Sequence, residues 1–426
     1  GGFLGVDLFF VISGYVITRL LLDSIEQSGG LDLRGFYLAR ARRLLPALIF
    51  TVTTTTIAIG IWAPDTIKRL LTDMPFSLTG TMNWWLVARH QDYFESIGRP
   101  PLLQHTWSLA VEAQFYLLWP LILYFILKRL GKSRIPIAAL VIAAASGITL
   151  LLVSFSLDAS NASKVSHVYF GTDTHSIGLF LGAALAVSWI PQNFTVNVSK
   201  KAQDFIDGIG VFGFIGIIAT FLLIDESKPT LYKIAFPLAG LFGASIIMSI
   251  VHPASRFAPI LQNPILVWIG QRSYAMYLWH WIIFQVTRPS VDLAGQMWAL
   301  YALRILIVFA LADISLRYVE QPIRRGALKL WLKGLKYRTK KERSQQTRTF
   351  AAIFVVVLAL ATVVSVRAVS IGNEQRAVIE EALTAPEVSI SAPASDGLWV
   401  TGDSVILGIR ASIAAQKPIS VMNARI

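Results

Sequence analysis

The sequence predicts an all-α polytopic membrane protein with about ten transmembrane helices, and three observations support this class. Hydrophobic residues make up 54% of the 426 residues and charged residues only 15%, whereas a soluble domain has about 25% charged residues. Apolar runs of roughly 20 residues, the length that crosses about 30 Å of hydrocarbon, recur along the chain. Basic residues concentrate in alternate segments between these runs, as they do in the cytoplasmic loops of membrane proteins.

The apolar runs locate the spans in chain order. The ten predicted spans are 3–22, 43–63, 107–127, 135–155, 172–190, 208–224, 232–251, 264–286, 297–316 and 349–369. A further apolar stretch, 68–88, is interrupted by Asp73 and Pro75 and contains Trp84 and Trp85. Paired tryptophans are typical of the membrane interface. We therefore predict a surface or re-entrant segment at 68–88 rather than a span.

The net charge of +13 predicts orientation rather than nucleic-acid binding. The basic residues alternate between loops only if 68–88 does not span, and the positive-inside rule then places the basic loops in the cytoplasm. The basic run 324–348 has no nucleic-acid-binding fold around it, so we expect it to lie against lipid headgroups. The lipid bilayer is a predicted partner and nucleic acid is not. The absence of cysteine excludes disulfides, zinc–thiolate sites and cysteine nucleophiles.

The C-terminal part of the sequence differs in composition from the spans. We predict a basic cytoplasmic segment at 326–348, an extra transmembrane helix at 349–369 and an extracytoplasmic linker at 370–396. At 397–408 an apolar run passes into a Gly-Asp-Ser turn, which is typical of the first strand of an α/β domain, so 397–426 is interpreted as the start of that domain. The same topology places Gly1 outside, and we expect one more span upstream of it.

Polar residues within spans are costly and are therefore candidates for function. Asp7 lies early in the first span, where it has either a functional role or a structural hydrogen bond to a neighbouring helix. Arg40, Arg42 and Arg43 stand at a cytoplasmic entry to a span. They are either a topology signal or a phosphate site, because the guanidinium fork matches phosphate oxygens and the N-terminal end of a helix attracts anions.

Two later segments combine polar residues with helical spacing. His105, Ser108 and Glu112 lie three and four residues apart, so they share a helix face. Glu112 could act as a base, orient a hydroxyl acceptor or pair with a buried arginine. His280 could be catalytic or a satisfied packing residue. At the end of the last core span, Arg317 and Glu320 could simply pair at one turn's spacing.

Several blocks of these residues together resemble the acyltransferase-3 family of membrane acyltransferases. The resemblance is greatest to the subgroup that carries an extracytoplasmic SGNH domain after an extra span. It covers roughly residues 1–325, which is the predicted membrane acyltransferase domain. The blocks are 2–15 (GFLGVDLFFVISGY), 36–46 with Arg42-Arg43-Leu44-Leu45-Pro46, 106–112 with Thr106-Trp107-Ser108-Leu109 and Glu112, 273–281 with Ser273-Tyr274 and Leu278-Trp279-His280-Trp281, and 318–322 (YVEQP).

The resemblance implies a membrane-bound O-acyltransferase of the bacterial inner membrane. Such enzymes typically move an acetyl group from cytoplasmic acetyl-CoA to hydroxyls of an envelope glycan such as peptidoglycan, O-antigen or exopolysaccharide. Acetyl-CoA or another acyl-CoA is then the donor substrate, with no bound cofactor and no metal. On this view Arg42 and Arg43 bind the CoA phosphates, Glu112 and His280 line the transfer path, and Ser404 is the SGNH nucleophile. The other candidate functional residues are Asp7, Trp107, Ser108, Tyr116, Tyr274, Arg317 and Glu320.

The sequence departs from the family pattern in three ways. The family's first span, with its basic residue and the histidine regarded as catalytic, is expected just upstream of Gly1. Ala113 stands where the family often has a second glutamate. The Gly, Asn and Asp-x-x-His blocks of an SGNH domain do not follow Ser404, so this serine has neither a base nor an oxyanion hole within the chain. We therefore expect the fragment by itself to be inactive.

Two other classes of function predict different sequence features. A multi-span transporter of an envelope precursor or acylated lipid would show repeats and broken helices at matching positions, and the sequence shows neither. A non-catalytic membrane scaffold would need no Arg42–Arg43 pair, no Glu112 and no Gly402-Asp403-Ser404 turn. The sequence therefore favours the enzyme.

Overall fold

The protein is described here by a computed structural model. It describes residues 2–91, 99–155, 162–224, 234–289, 291–334, 337–384, 398–402 and 419–424. Within these ranges the chain is helical apart from turns and two short strands, which confirms the all-α polytopic class. The helices are α1 (Gly5–Ser28), α2 (Leu33–Trp62), α3 (Ile67–Thr79), α4 (Met82–Ala88), α5 (Trp107–Arg129), α6 (Ile135–Phe155), α7 (Ala162–Phe170), α8 (Thr172–His175), α9 (Ile177–Ser188), α10 (Lys200–Leu223), α11 (Phe236–Val251), α12 (Phe257–Leu261), α13 (Pro264–Val286), α14 (Met297–Ile314), α15 (Gln321–Arg324), α16 (Ala327–Gly334) and α17 (Lys340–Thr384).

Seven helices in the described part of the chain are long and apolar enough to cross a membrane, namely α1, α2, α5, α6, α10, α14 and α17. The other three predicted spans also contain helices. Helices α9 and α11, with 12 and 16 residues, are shorter than the roughly 20 residues a span requires. Helix α13 has 23 residues but carries the polar Gln271, Arg272 and His280. The predicted count of about ten spans is therefore not confirmed.

The stretch predicted as a surface or re-entrant segment forms the two short helices α3 and α4, and neither is among the seven. The break between them falls at Gly80, whose φ of 71° lies in the left-handed region that glycine adopts without steric cost. Amide hydrogen bonds hold this break against α5. Gln114 Nε2 donates to the carbonyl oxygen of Gly80 at 3.1 Å and to Asn83 Oδ1 at 2.9 Å.

Helix α1 lies directly against α9 because glycines allow the two backbones to approach. A Cβ atom at Gly14 would lie 1.9 Å from the carbonyl oxygen of Leu179, and one at Gly182 would lie 2.0 Å from that of Val11. Close packing of this kind replaces the hydrophobic effect between helices in lipid. The α1–α9 contact, defined by these four residues, therefore positions α1 within the bundle.

The chain divides into two compact units, one of Gly1–Thr54 with Leu70–Arg343 and one of Thr55–Arg69 with Ser344–Ile426. In the second unit, Gly60 lies against α17, where a Cβ atom would be 2.1 Å from Val364 Cγ1. Strands β1 (Leu398–Gly402) and β2 (Ile419–Ala424) pair in parallel. A strand thus occupies the position predicted for one, whereas Ser404 lies outside the described residues. The domain boundaries remain predictions.

Candidate active-site cavity

A cavity of about 650 Å³ lies in the first unit, between the start of α1 and helices α2, α5 and α13. Its size falls within the range typical of small-molecule sites. The apolar part of its wall comes from residues such as Phe3, Val6, Phe9, Leu109 and Phe284. The polar part comes from Arg43, His105, Glu112, Tyr116, Ser273, Tyr274, Tyr277, His280, Trp281 and Gln285.

Glu112 on α5 is buried, and two hydroxyl groups hold its carboxyl group. Ser13 Oγ on α1 and Tyr116 OH, one turn further along α5, both donate a hydrogen bond to Glu112 Oε1. The two hydroxyl oxygens are themselves 2.9 Å apart. The i, i+4 spacing of Glu112 and Tyr116 places them on one helix face. These two hydrogen bonds therefore orient the carboxyl group through one of its oxygens.

Positive charge lies beside Glu112. Arg43 of α2 lines the cavity, and the charges of Arg40 and Arg43 both act on the Glu112 carboxyl group. Tyr274 OH donates to the carbonyl oxygen of Leu44 at 3.0 Å, which joins α13 to α2 next to Arg43. We call Arg43, Glu112, Tyr116 and Tyr274 the arginine end of the cavity.

The other end of the cavity contains two histidines and uncharged partners. Tyr277 OH donates to the carbonyl oxygen of His105 at 2.6 Å and lies 2.6 Å from Ser108 Oγ. His280 Nδ1 lies 2.6 Å from the carbonyl oxygen of Tyr277. Because a carbonyl only accepts, Nδ1 carries the hydrogen, and Nε2 of the neutral ring is the lone-pair nitrogen. We call His105, Tyr277, His280 and Trp281 the histidine end.

The two ends are separated along the axes of α5 and α13. His105 precedes Glu112 by seven residues, which corresponds to about 10 Å along a helix axis. From Tyr274 to Gln285 on α13 the same rise gives about 16 Å, roughly half of the 30 Å hydrocarbon core. The cavity is therefore long enough to present one end of a linear ligand to charge and the other to the histidines.

A charged network closes the loop that follows α13. Arg99 donates to the carbonyl oxygen of Gln285 and to Asp292 Oδ1, both at 2.7 Å. Arg288 Nε donates to Asp292 Oδ2 at 3.0 Å. Burial by itself raises the pKa of the Asp292 carboxyl group, but hydrogen bonds from Arg288 and the charge of Arg99 outweigh it and hold that pKa below its usual range. The network anchors the histidine-end terminus of α13.

Of the predicted site residues, Arg43, Glu112, Tyr116, Tyr274 and His280 therefore lie together on one cavity. Arg42 is exposed and is not among the cavity-lining residues. Ser108 lies behind the wall and contacts the cavity through Tyr277. Ser404 lies outside the described residues.

Asp7 and Trp107 belong to a different cluster, which is buried and aromatic. His175 Nε2 lies 3.1 Å from Asp7 Oδ1, and His175 Nδ1 lies 2.7 Å from the carbonyl oxygen of Tyr169. The rings of Trp107 and Phe236 pack on His175, with centroids 5.1 and 4.0 Å away. This arrangement matches the structural alternative for Asp7, a hydrogen bond to a neighbouring helix.

The possible pairing of Arg317 with Glu320 does not form in the structure. Residues Ser315–Glu320 form a π-helical turn, in which the wider i→i+5 bonding changes the spacing at which side chains align. Arg317 instead bonds Asp313 at 2.8 Å. Glu320 is buried, accepts a hydrogen bond from Ser315 at 3.3 Å, and lies within the influence of the Arg43 charge.

Sequence reasoning did not assign Ser13. Its position within the block 2–15, six residues after Asp7, was visible, but a serine in an apolar helix has many structural uses. Its role as a donor to Glu112 depends on how α1 and α5 meet, 99 residues apart in sequence.

A known protein family matches most of the chain. Residues 1–317 match the family model described as an acyltransferase domain. The chain belongs to this acyltransferase family. The membrane part that forms the cavity is therefore an acyltransferase domain, and its apolar helices and bacterial relatives identify a multi-pass bacterial membrane protein.

Several curated relatives of this acyltransferase are named for O-acetylation. The chain is 37% identical over 358 residues to the O-acetyltransferase OatA of Staphylococcus aureus, covering 84% of this chain and 57% of the relative. It is 34% identical over 339 residues to the peptidoglycan O-acetyltransferase OatA of Listeria monocytogenes, covering 79% and 53%. A putative O-acetyltransferase of S. aureus is 38% identical over 330 residues, covering 77% and 54%.

The chain thus spans about half the length of the curated relatives it matches. No solved structure matches the chain.

Proposed function

We propose that the protein is a membrane-bound O-acetyltransferase that moves an acetyl group from cytoplasmic acetyl-CoA to hydroxyls of cell-envelope carbohydrate. The observation that carries this proposal is the meeting of Arg43, Glu112 and His280 on one cavity within an acyltransferase domain. The names of the relatives support O-acetylation, and the name of the Listeria relative supports peptidoglycan as the acceptor class.

The arginine end suits the donor. CoA carries several phosphates, and a guanidinium binds phosphate oxygens through paired, charge-assisted hydrogen bonds. Arg43 lines the cavity and the charge of Arg40 reaches the same region. The positive-inside pattern predicts that this part of α2 faces the cytoplasm, where acetyl-CoA is made available. We expect a larger contribution from Arg43 than from Arg42, because Arg43 lines the cavity and Arg42 does not, although both are exposed.

The acetyl group then passes along the cavity towards its other end. Glu112 and His280 are two groups on this path that can accept a proton, and Nε2 of His280 is the ring nitrogen that carries the lone pair. In the full-length protein, Ser404 Oγ would become bonded to the acetyl carbonyl carbon as an ester, while the carbon–sulfur bond of acetyl-CoA breaks and the serine proton ends on the departing CoA thiol. A sugar hydroxyl would then attack the ester carbonyl carbon, and the serine oxygen would leave with the proton.

The test uses membrane vesicles that contain the full-length protein, with acetyl-labelled CoA supplied on the cytoplasmic side. Label is followed into protein and into envelope glycan. We expect label in glycan for the unsubstituted protein and at least a hundredfold loss for Glu112→Gln, the scale of a lost acid–base group. Arg43→Gln should raise the concentration of acetyl-CoA at which transfer is half-maximal. Ser404→Ala should prevent label from reaching the glycan.

Arg134→Gln is the matched control, because Arg134 is exposed in the loop before α6 and far from the cavity in sequence. It should behave like the unsubstituted protein. The proposal would be contradicted if the glycan stays unlabelled although the protein is well folded. It would also be contradicted if neither Arg43→Gln nor Glu112→Gln changes the rate of transfer. Uptake of an intact envelope precursor without acetylation would instead support a transporter.

A further inference from the structure

The imidazole ring of His105 is buried and forms no hydrogen bond with the described residues. It is 3% exposed, lies in the turn before α5 and lines the cavity. Within the described part of the chain, neither Nδ1 nor Nε2 has a hydrogen-bond partner. The backbone at Leu102 and Leu278 lies near the ring, but outside hydrogen-bonding geometry. The backbone of His105 is itself held, since its carbonyl oxygen accepts from Tyr277.

Two other buried histidines show the usual arrangement. Both ring nitrogens of His175 have acceptors, Asp7 and the carbonyl oxygen of Tyr169. His252 Nδ1 accepts from the backbone N–H of Ala254 at 3.1 Å. Buried polar groups that lack partners are rare in folded proteins because each loses its hydrogen bonds to water. His105 is an exception, and it occurs at the wall of a cavity.

The surroundings of His105 define what it could bind. The ring centroids of Tyr277, His280 and Trp281 lie 5.5, 5.8 and 6.4 Å from its own. The charged residues that line the cavity, Arg43 and Glu112, belong to the arginine end. The histidine end therefore offers neutral donors and acceptors between aromatic rings, which suits an uncharged, oxygen-bearing group and not a phosphate.

We propose that His105 is a substrate-binding residue whose imidazole hydrogen bonds a neutral oxygen of the reacting groups. That oxygen is either the thioester carbonyl of the acetyl donor or the hydroxyl that receives the acetyl group. This inference rests on the proposed acetyl transfer. In the transfer, the hydroxyl oxygen bonds to the carbonyl carbon, the carbon–sulfur bond breaks, and the hydroxyl proton ends on the departing thiol. A neutral imidazole both donates and accepts, so either oxygen can be served.

The experiment substitutes His105 in the full-length protein and measures binding, turnover and stability together. His105→Leu removes both nitrogens, whereas His105→Asn and His105→Gln keep an amide near Nδ1 or Nε2. His167→Asn is the control, since His167 is a partly exposed histidine paired with Asp173 outside the cavity. We expect His105→Leu to lose about tenfold or more in kcat/KM, the scale of one hydrogen bond to a buried group, and one amide variant to recover part of it.

Stability separates binding from a structural role. Since the His105 ring has no hydrogen-bond partner among the described residues, the His105→Leu variant should melt at the same temperature as the unsubstituted protein or higher. Full activity of His105→Leu would overturn the proposal. So would a joint loss of activity and melting temperature in all three His105 variants.

The two sources of the oxygen give different results. If the partner is the thioester carbonyl, His105→Leu loses the preference for acetyl-CoA over CoA in direct binding. If the partner is the accepting hydroxyl, that preference remains and the transfer of labelled acetyl from bound acetyl-CoA slows. Failure of the unsubstituted protein to bind acetyl-CoA would overturn the proposed function itself. If that protein binds acetyl-CoA and the His105 variants bind and transfer acetyl equally well, only this inference is overturned.

Discussion

The two sides of helix α1 meet different environments, and their polar groups differ accordingly. Towards α9, Gly14 and Gly182 leave no free space, and Asp7 is paired with His175 inside the protein. Towards the cavity, Val6 and Phe9 border open space, and Ser13 helps to hold Glu112. On the packed side, side chains of the protein fill the space and pair with one another. On the cavity side, polar groups are oriented towards a space that a ligand can enter. A rigid contact on one side of a helix can thus fix the position of a site on the other.

The largest effect should come from breaking the buried pair on the packed side. Asp7→Ala leaves the buried His175 Nε2 without its partner, and an unsatisfied buried polar group costs about 1–3 kcal/mol, and more if it is charged. We expect a correspondingly lower free energy of unfolding in detergent, with activity retained by the fraction that stays folded. Asp204→Ala, at an exposed ion pair with Arg256, should cost less than about 1 kcal/mol. Unchanged stability with lost activity would instead assign Asp7 to the reaction.

A smaller effect should come from filling the α1–α9 contact. Gly182→Ala places a methyl group 2.0 Å from the carbonyl oxygen of Val11, and overpacking of this kind costs about 1–3 kcal/mol. Gly208→Ala is the matched change, because a Cβ atom at Gly208 of α10 would meet nothing within 4 Å. It should be neutral or stabilise by up to about 1 kcal/mol. Equal melting temperatures for the two variants would contradict the close contact between α1 and α9.

The smallest effect should come from the cavity side of α1. Ser13→Ala and Tyr116→Phe each remove one donor to Glu112 Oε1, at about 0.5–1.5 kcal/mol per hydrogen bond. We expect a two- to tenfold lower kcat for acetyl transfer, with a further loss in the double variant. Ser245→Ala on α11, whose hydroxyl bonds its own helix at Leu241, should leave kcat unchanged. A double variant with normal kcat would show that the orientation of Glu112 does not limit transfer.

The sequence predicted most of the helices because hydropathy is a local property. The interruption of 68–88 was likewise visible in its own residues, and the structure forms two short helices there. The lengths of α9 and α11 could not be predicted as well, since an apolar run does not show where a helix begins or ends. The sequence left open whether Arg317 pairs with Glu320, because it does not show the π-helical turn that changes which side chains align there.

The class of protein and the costly polar residues within its apolar segments are already visible in the sequence. Tertiary structure alone decided which of those residues meet. Asp7 and Glu112 are both carboxylates in apolar helices, yet one pairs with His175 and the other lines the cavity beside Arg43. The physical reason is that burial and hydrogen bonding depend on how helices distant in sequence pack together, which no local pattern contains.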